Sequence, residues 1–277
     1  MISGKTRLIA HLGYPTENFR APMIYNPYFE KYGIDAVVMP MGCKPEDFEA
    51  FFPLVFKLSN IHGALITMPH KVSVLGLLDE ISTTAQVAGS CNAVRLTPEG
   101  KLIGDQFDGE AFVRGLIRKG LVLKGARAYL SGCGGAGAAI AASLAKAGIA
   151  EIALQNRSPA RMEALAERLA SAYPALDVII GHDHPAGFDL VVNASPLGAK
   201  AGDPLPIDVD LISAESFVGE VVMSAEITPF LAAAQEKGCR YQVGSDMLLE
   251  QIPAYLEFFE FRSATPEEVR EVARITY

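Results

Sequence analysis

Tryptophan is missing from this 277-residue chain, and that absence excludes nothing. Other shortages are informative. Basic residues are outnumbered, with 24 Lys and Arg against 32 Asp and Glu, for a net charge of −8. So acidic a chain is poorly suited to nucleic acid or an anionic membrane as its main partner, and any anionic ligand must be held by local positive groups. Cysteine is scarce: Cys43, Cys91, Cys133 and Cys239 lie far apart with no CxxC pair. That spacing argues for reduced thiols and against a disulfide frame or a zinc site. His182 and His184 sit in a polar loop without ligands at metal spacing, so no metal is expected. Apolar runs are short; none approaches the roughly 18 residues of a membrane span. The opening, Met1-Ile-Ser-Gly-Lys-Thr-Arg, has no signal-like apolar stretch, and a cytoplasmic protein is expected.

What is present is an ordinary globular composition, 50% hydrophobic and 20% charged, long enough for two domains with a substantial core. The stretch that organises the chain is Tyr129-Leu-Ser-Gly132-Cys-Gly134-Gly135-Ala136-Gly137. A short apolar run ends in Gly132-x-Gly134-x-x-Gly137, and an Ala-rich helical stretch, Ala138 to Ala147, follows at once. Glycine permits the tight strand-to-helix turn and lets a pyrophosphate approach the backbone, while the helix start offers open N–H groups to the anion. The next strand, Glu151–Gln155, ends in Asn156-Arg157-Ser158, with Arg161 one turn on. A carboxylate there would suit the ribose of NAD; a guanidinium suits a 2′-phosphate instead, so NADP(H) is the expected cofactor.

Elsewhere strands alternate with helices, which predicts an α/β architecture of parallel sheets in two lobes. Arg7–Leu12, Ile34–Met39 and Gly63–Thr67 read as strands. Ala21 to about Lys31, Pro45 to Leu58 and Val72 to Glu80 read as helices. The third strand runs into Met68-Pro69-His70-Lys71, where the proline forces a break. Lys71 is thereby left at a strand's carboxyl end, where open α/β sheets bind ligands. Near the end, Thr265-Pro266-Glu267-Glu268 has the spacing of a capping box.

With these pieces in order the chain resembles the shikimate/quinate dehydrogenase family over nearly its whole length. The carrying stretches begin with Gly63-x-x-Ile-Thr67-x-Pro69-His70-Lys71, Gly89-Ser-Cys-Asn92-Ala-Val94 and Gly104-Asp-Gln-Phe-Asp108-Gly109. The Gly-rich turn, Asn156-Arg157-Ser158, Asn193-Ala-Ser195-Pro-Leu-Gly198 and Gly244-Ser-Asp-Met247-Leu-x-x-Gln251 continue them. The resemblance implies an N-terminal α/β substrate domain over 1–108, a Rossmann-type NADP-binding domain over 109–244, and C-terminal helices over 245–277 that return to the first domain. It implies NADP-dependent interconversion of 3-dehydroshikimate and shikimate or a close ring analogue, with Lys71 and Asp108 as catalytic pair. Thr67, Asn92 and Gln251 match positions that hold the cyclic hydroxy acid. Ser195 and Met247 match positions near the nicotinamide. Monomer or homodimer is the expected assembly.

The chain departs from the family at the substrate end. Phe19 and Ala21 stand where the family has two serines that bind the substrate carboxylate, and neither side chain can donate a hydrogen bond. Leu65 replaces an Asn, Phe107 a Thr and Met223 a Tyr. Arg20 is the expected replacement anchor, since a planar guanidinium suits a carboxylate; Asn18 with Thr16 is the alternative. The departures leave open quinate or an aminoshikimate-type substrate, and, from another class, a non-catalytic sensor of NADP(H) or a ring metabolite.

Overall fold

The computed structural model of the chain describes residues 2–17, 19–200 and 202–274. The fold divides into two units, one running to Phe107 and resuming at Gln251, the other spanning Asp108–Glu250.

The first unit opens with β1 (Arg7–Gly13), α1 (Pro22–Lys31), β2 (Ala36–Gly42), α2 (Pro45–Val55) and β3 (Ile61–Ile66). Both helices start on a proline, whose missing N–H costs nothing in the first turn. Phe48, Phe52 and Val55 form the buried stripe of α2 and pack on Ala10, Leu12, Ala64 and Ile66. Then come β4 (Glu80–Ile81), α3 (Thr83–Ala88), β5 (Ala93–Leu96) and β6 (Leu102–Asp105). The strand order is β2-β1-β3-β5-β6-β4.

Two expectations are corrected here. The sheet is mixed, because β5 runs antiparallel to both β3 and β6 while β1 pairs in parallel with β2 and β3. The short turn between β5 and β6 makes a hairpin, and a hairpin can only be antiparallel. The helix expected over 72–80 is a 3-10 turn at Ser73–Leu77, with Gly76, a poor helix former, inside it. Beyond it Asp79 donates its N–H to Leu102, and Glu80 and Ile81 join the sheet edge beside β6. Sheet pairing has taken the residues a longer helix would need.

The second unit holds α4 (Asp108–Arg118), β7 (Arg127–Ser131), α5 (Gly135–Lys146), β8 (Glu151–Gln155), α6 (Pro159–Ala172) and β9 (Asp177–Ile180). It continues with β10 (Leu190–Asn193), β11 (Phe217–Glu220), α7 (Pro229–Glu236), β12 (Arg240–Gln242) and α8 (Gly244–Phe258). All six strands are parallel, ordered β12-β11-β10-β7-β8-β9, so the order reverses between β7 and β10. Doubly wound sheets bind dinucleotides at that reversal. Gly109 lets α4 lie directly on α5, where an added Cβ would overlap the Ala139 carbonyl.

The second division between the units falls within α8, between Glu250 and Gln251. The last helix among the described residues, α9 (Pro266–Val272), is part of the first unit. Its capping box is complete, Thr265 receiving the Glu268 N–H and Glu268 receiving that of Thr265. Tyr28 on α1 donates to the Ser263 carbonyl at 3.3 Å and receives Arg262 at 2.6 Å. None of the described helices is long and apolar enough to cross a membrane.

Candidate active site

In the first unit the β1–β3 ladder continues past its formal end. Thr67 donates to the Leu12 carbonyl at 2.9 Å and Tyr14 to that of Met68 at 3.0 Å. The chain then turns through a cis Met68–Pro69 bond, and His70 donates back to Thr67 at 2.9 Å. His70 is 1% exposed; its Nε2 donates to the Cys43 carbonyl at 2.7 Å and its ring stacks on Phe48. This buried clamp fixes the residue before Lys71. On the other side the Lys71 carbonyl receives the Cys91 N–H at 2.8 Å, one residue from Asn92. Asn92 is itself locked: Ile66 donates to its carbonyl, and its side-chain oxygen receives the Phe107 N–H. Thr67, Lys71 and Asn92 are thus brought to one end of the sheet by backbone bonds.

Other positions read from the sequence are distributed as follows. Gln251 is buried on α8 in the same unit. Arg20 is half-buried and its carbonyl starts α1 by receiving the Met23 N–H. Thr16 is half-buried and accepts the Phe19 N–H; Asn18 lies outside the described residues. Asp108 is the first residue of α4 and is buried. Among the departures, Leu65 is buried on β3, Met223 is exposed, and Phe107 packs edge-on against Tyr255 and Phe258. Phe19 lies against the ring of His11, centroids 4.1 Å apart. A Cβ on Gly13 would come within 2.8 Å of that same phenyl ring and would strike the Thr67 methyl.

His11, a buried imidazole on β1, was not singled out from the sequence. Burial, and then the charge of Lys71, hold its pKa down to about 4. A lone imidazole inside an apolar strand was the available signal.

In the second unit the Gly-rich turn divides its glycines by purpose. At Gly132, φ is +108°, and an added Cβ would meet the Ala194 carbonyl carbon at 2.6 Å. At Gly137 a Cβ would run into the Gly132 carbonyl. These two serve protein packing. Gly134 and Gly135, at the start of α5, have nothing within 4 Å of an added Cβ. Their bareness leaves room for a ligand over the helix N-terminus, where open N–H groups favour an anion. Ala136 continues the helix start, and Cys133 donates its N–H to Asn156 at 3.1 Å. Asn156 also donates to the Ser158 carbonyl, so the turn and the end of β8 are one piece. Arg157 and Arg161 follow, both exposed and both without a partner among the described residues. An open phosphate cradle beside two guanidiniums fits a phosphorylated dinucleotide.

Across the strand-order reversal, Asn193 accepts both the N–H and the hydroxyl of Ser195, at 3.0 and 2.7 Å. Asn193 is held in turn by Glu220, a fully buried carboxylate bonded to Thr228, whose pKa burial pushes up. Met247 is buried on α8. Nothing in the sequence pattern pointed to the Glu220–Thr228 support.

Comparison with known proteins gives the family. The shikimate dehydrogenase substrate binding domain profile matches residues 12–94. The shikimate dehydrogenase (NADP(+)) of Rubrobacter xylanophilus is 34% identical over 254 residues, covering 90% of this chain and 89% of that protein. The chain belongs to the shikimate dehydrogenase family. Its curated relatives are NADP-dependent shikimate dehydrogenases, oxidoreductases acting on a CH–OH group. Among solved structures, shikimate 5-dehydrogenase from Thermus thermophilus, in complex with NADP(H) and shikimate, has 28% identity and a TM-score of 0.84, covering 97% of this chain and 99% of that one. The ligand-free 5-ketofructose reductase of Gluconobacter sp. strain CHM43 has 25% identity and a TM-score of 0.88, covering 98% and 99%.

Proposed function

We propose that the chain interconverts shikimate and 3-dehydroshikimate, or a close ring analogue, with NADP. The observation that carries the reading is Lys71 itself. It stands at a strand's carboxyl end, its carbonyl held by Cys91 and its neighbour His70 clamped in the core. Oxidising a ring alcohol removes a hydride from carbon and a proton from oxygen, and reducing the ketone returns both. NADP, when bound, supplies the acceptor or donor of the hydride.

Lys71 manages the proton at the reacting oxygen. As an amine it accepts the hydroxyl proton during oxidation; as an ammonium it returns that proton to the alkoxide during reduction. Asp108 orients the ammonium and shares its proton. Thr67, Asn92 and Gln251 hold ring hydroxyls, and Arg20 pairs with the carboxylate. Gly134, Gly135 and Ala136 carry the pyrophosphate, and Gly132 and Gly137 hold the turn that presents them. Asn156, Arg157, Ser158 and Arg161 hold the phosphorylated ribose, while Ser195 and Met247 face the nicotinamide. The first unit is the substrate domain and the second the cofactor domain.

The test is to incubate the protein with NADP and a panel of shikimate, quinate and their amino analogues, following absorbance of the reduced cofactor. Turnover of shikimate that disappears in Lys71→Met, with NADPH affinity intact, is the expected result. Cofactor binding without turnover on any ring acid would overturn it in favour of a binding protein. Arg20→Ala should raise substrate KM sharply with NADPH affinity unchanged; an unaltered KM removes Arg20 as anchor.

A further inference from the structure

The interior of β1 is apolar with one exception. Ile9, Ala10 and Leu12 are fully buried. His11 is only 8% exposed, and its Nδ1 is buried without a partner among the described residues. Its register partners are Pro40 on β2 and Leu65 on β3, neither of which has a side-chain hydrogen-bonding group. Buried polar atoms are nearly always paired, and each exception calls for an explanation. Packing does not provide one, because an aliphatic side chain would fill the space without stranding a nitrogen.

Location does. His11 and Gly13 are two residues apart on one strand, so they face the same side of it. Phe19 leans on both, and the Thr67 methyl closes in on the same spot. Lys71 is near enough for its charge to act on the imidazole. The imidazole is uncharged across the working range and offers one donor and one acceptor.

We propose that His11 is a substrate-recognition residue, its imidazole hydrogen-bonded to a hydroxyl of the ring substrate beside Lys71 under the cover of Phe19. The proposal rests on the reading that Lys71 acts on a ring alcohol. A hydroxyl both gives and takes a hydrogen bond, which matches what the imidazole offers. Phe19 is half-buried on the loop after β1, and its ring is what lies over the imidazole, so the proposed contact requires that ring to turn aside. In this arrangement His11 supplies polar recognition that Phe19, Ala21 and Leu65 do not.

The experiment is steady-state kinetics on the intact protein and on His11→Val and His11→Asn, using the ring acid turned over by the wild type. Analogues of that acid lacking one hydroxyl each are included, and thermal melts accompany the kinetics. His11→Val should raise substrate KM about tenfold, the worth of one hydrogen bond, leave the KM for NADP unchanged and not lower Tm. His11→Asn should recover part of the loss. One deoxy analogue should be as poor for the wild type as the full substrate is for His11→Val, and should not be worsened further by that substitution. An unchanged KM in His11→Val, or equal losses on every analogue together with a lowered Tm, overturns the proposal. If the wild type turns over no ring acid, the underlying reading fails and takes this one with it; turnover with an unaltered KM in His11→Val sinks this one alone.

Discussion

The side-chain oxygen of Asn92 receives the backbone N–H of Phe107 at 3.0 Å. Asn92 is 1% exposed, and Phe107 is the last residue before Asp108. One buried carboxamide therefore fixes the chain on which the proposed acidic partner of Lys71 is mounted. Asn92→Ala strands a buried N–H, at a cost of about 1–3 kcal/mol. Denaturant unfolding should register that loss together with a fall in kcat. Asn92→Asp, which keeps an acceptor for Phe107, should lose less stability; equal losses in the two variants would mean the Phe107 bond is not the reason.

The glycine turn separates packing from binding. Gly137→Ala places a methyl against the Gly132 carbonyl and should cost several kcal/mol, within the range of severe backbone clashes. Gly134→Ala has open space around it and should leave stability within about 1 kcal/mol of wild type while weakening NADP binding. Isothermal calorimetry beside denaturant unfolding reads both, and full NADP affinity in Gly134→Ala would remove the pyrophosphate from that position.

Arg157 and Arg161 have no partner to lose among the described residues, so their removal should be silent in stability. The Arg157→Ala, Arg161→Ala double variant should raise the KM for NADP by about one to two orders of magnitude, as expected for lost charge-assisted bonds, and leave the KM for NAD nearly unchanged. Equal losses for both cofactors would place the 2′-phosphate elsewhere.

His11 predicts a pH dependence. Its pKa is about 4 in the folded protein against the ordinary 6.5, so between those values the unfolded chain binds the extra proton. Stability from this group is complete above pH 6.5 and declines as pH falls toward 4, by about 3 kcal/mol in total. The check is urea unfolding at several pH values. The difference between wild type and His11→Val should change by roughly that amount across the window, and a flat difference would mean the imidazole is not held neutral.

Much of the cofactor unit was legible because its signals are local. The Gly132–Gly137 turn and Asn156-Arg157 carry their structural consequences in a few consecutive residues. The same holds for Thr265–Glu268 in α9. The substrate unit was less legible because its decisive bonds are made at a distance. The stretch 72–80 reads as helix until Asp79 and Glu80 are claimed by β6. That β5 lies antiparallel beside β3, which is remote in sequence, is likewise settled at a distance, although its turn to β6 is local. Lys71 was marked by Pro69 and His11 by standing alone in an apolar strand, but that the imidazole nitrogen has no partner shows only once Pro40 and Leu65 lie alongside.

The first unit is closed by residues from both ends of the chain. The bare Cα of Gly63 makes room for the ring of Phe259, and α1 is tied to the segment before α9 through Tyr28, Ser263 and Arg262. The strands around Gly63 therefore cannot close their core before residues 259–263 have been made, whereas Asp108–Glu250 holds every strand of its own sheet in one continuous stretch and can finish folding first.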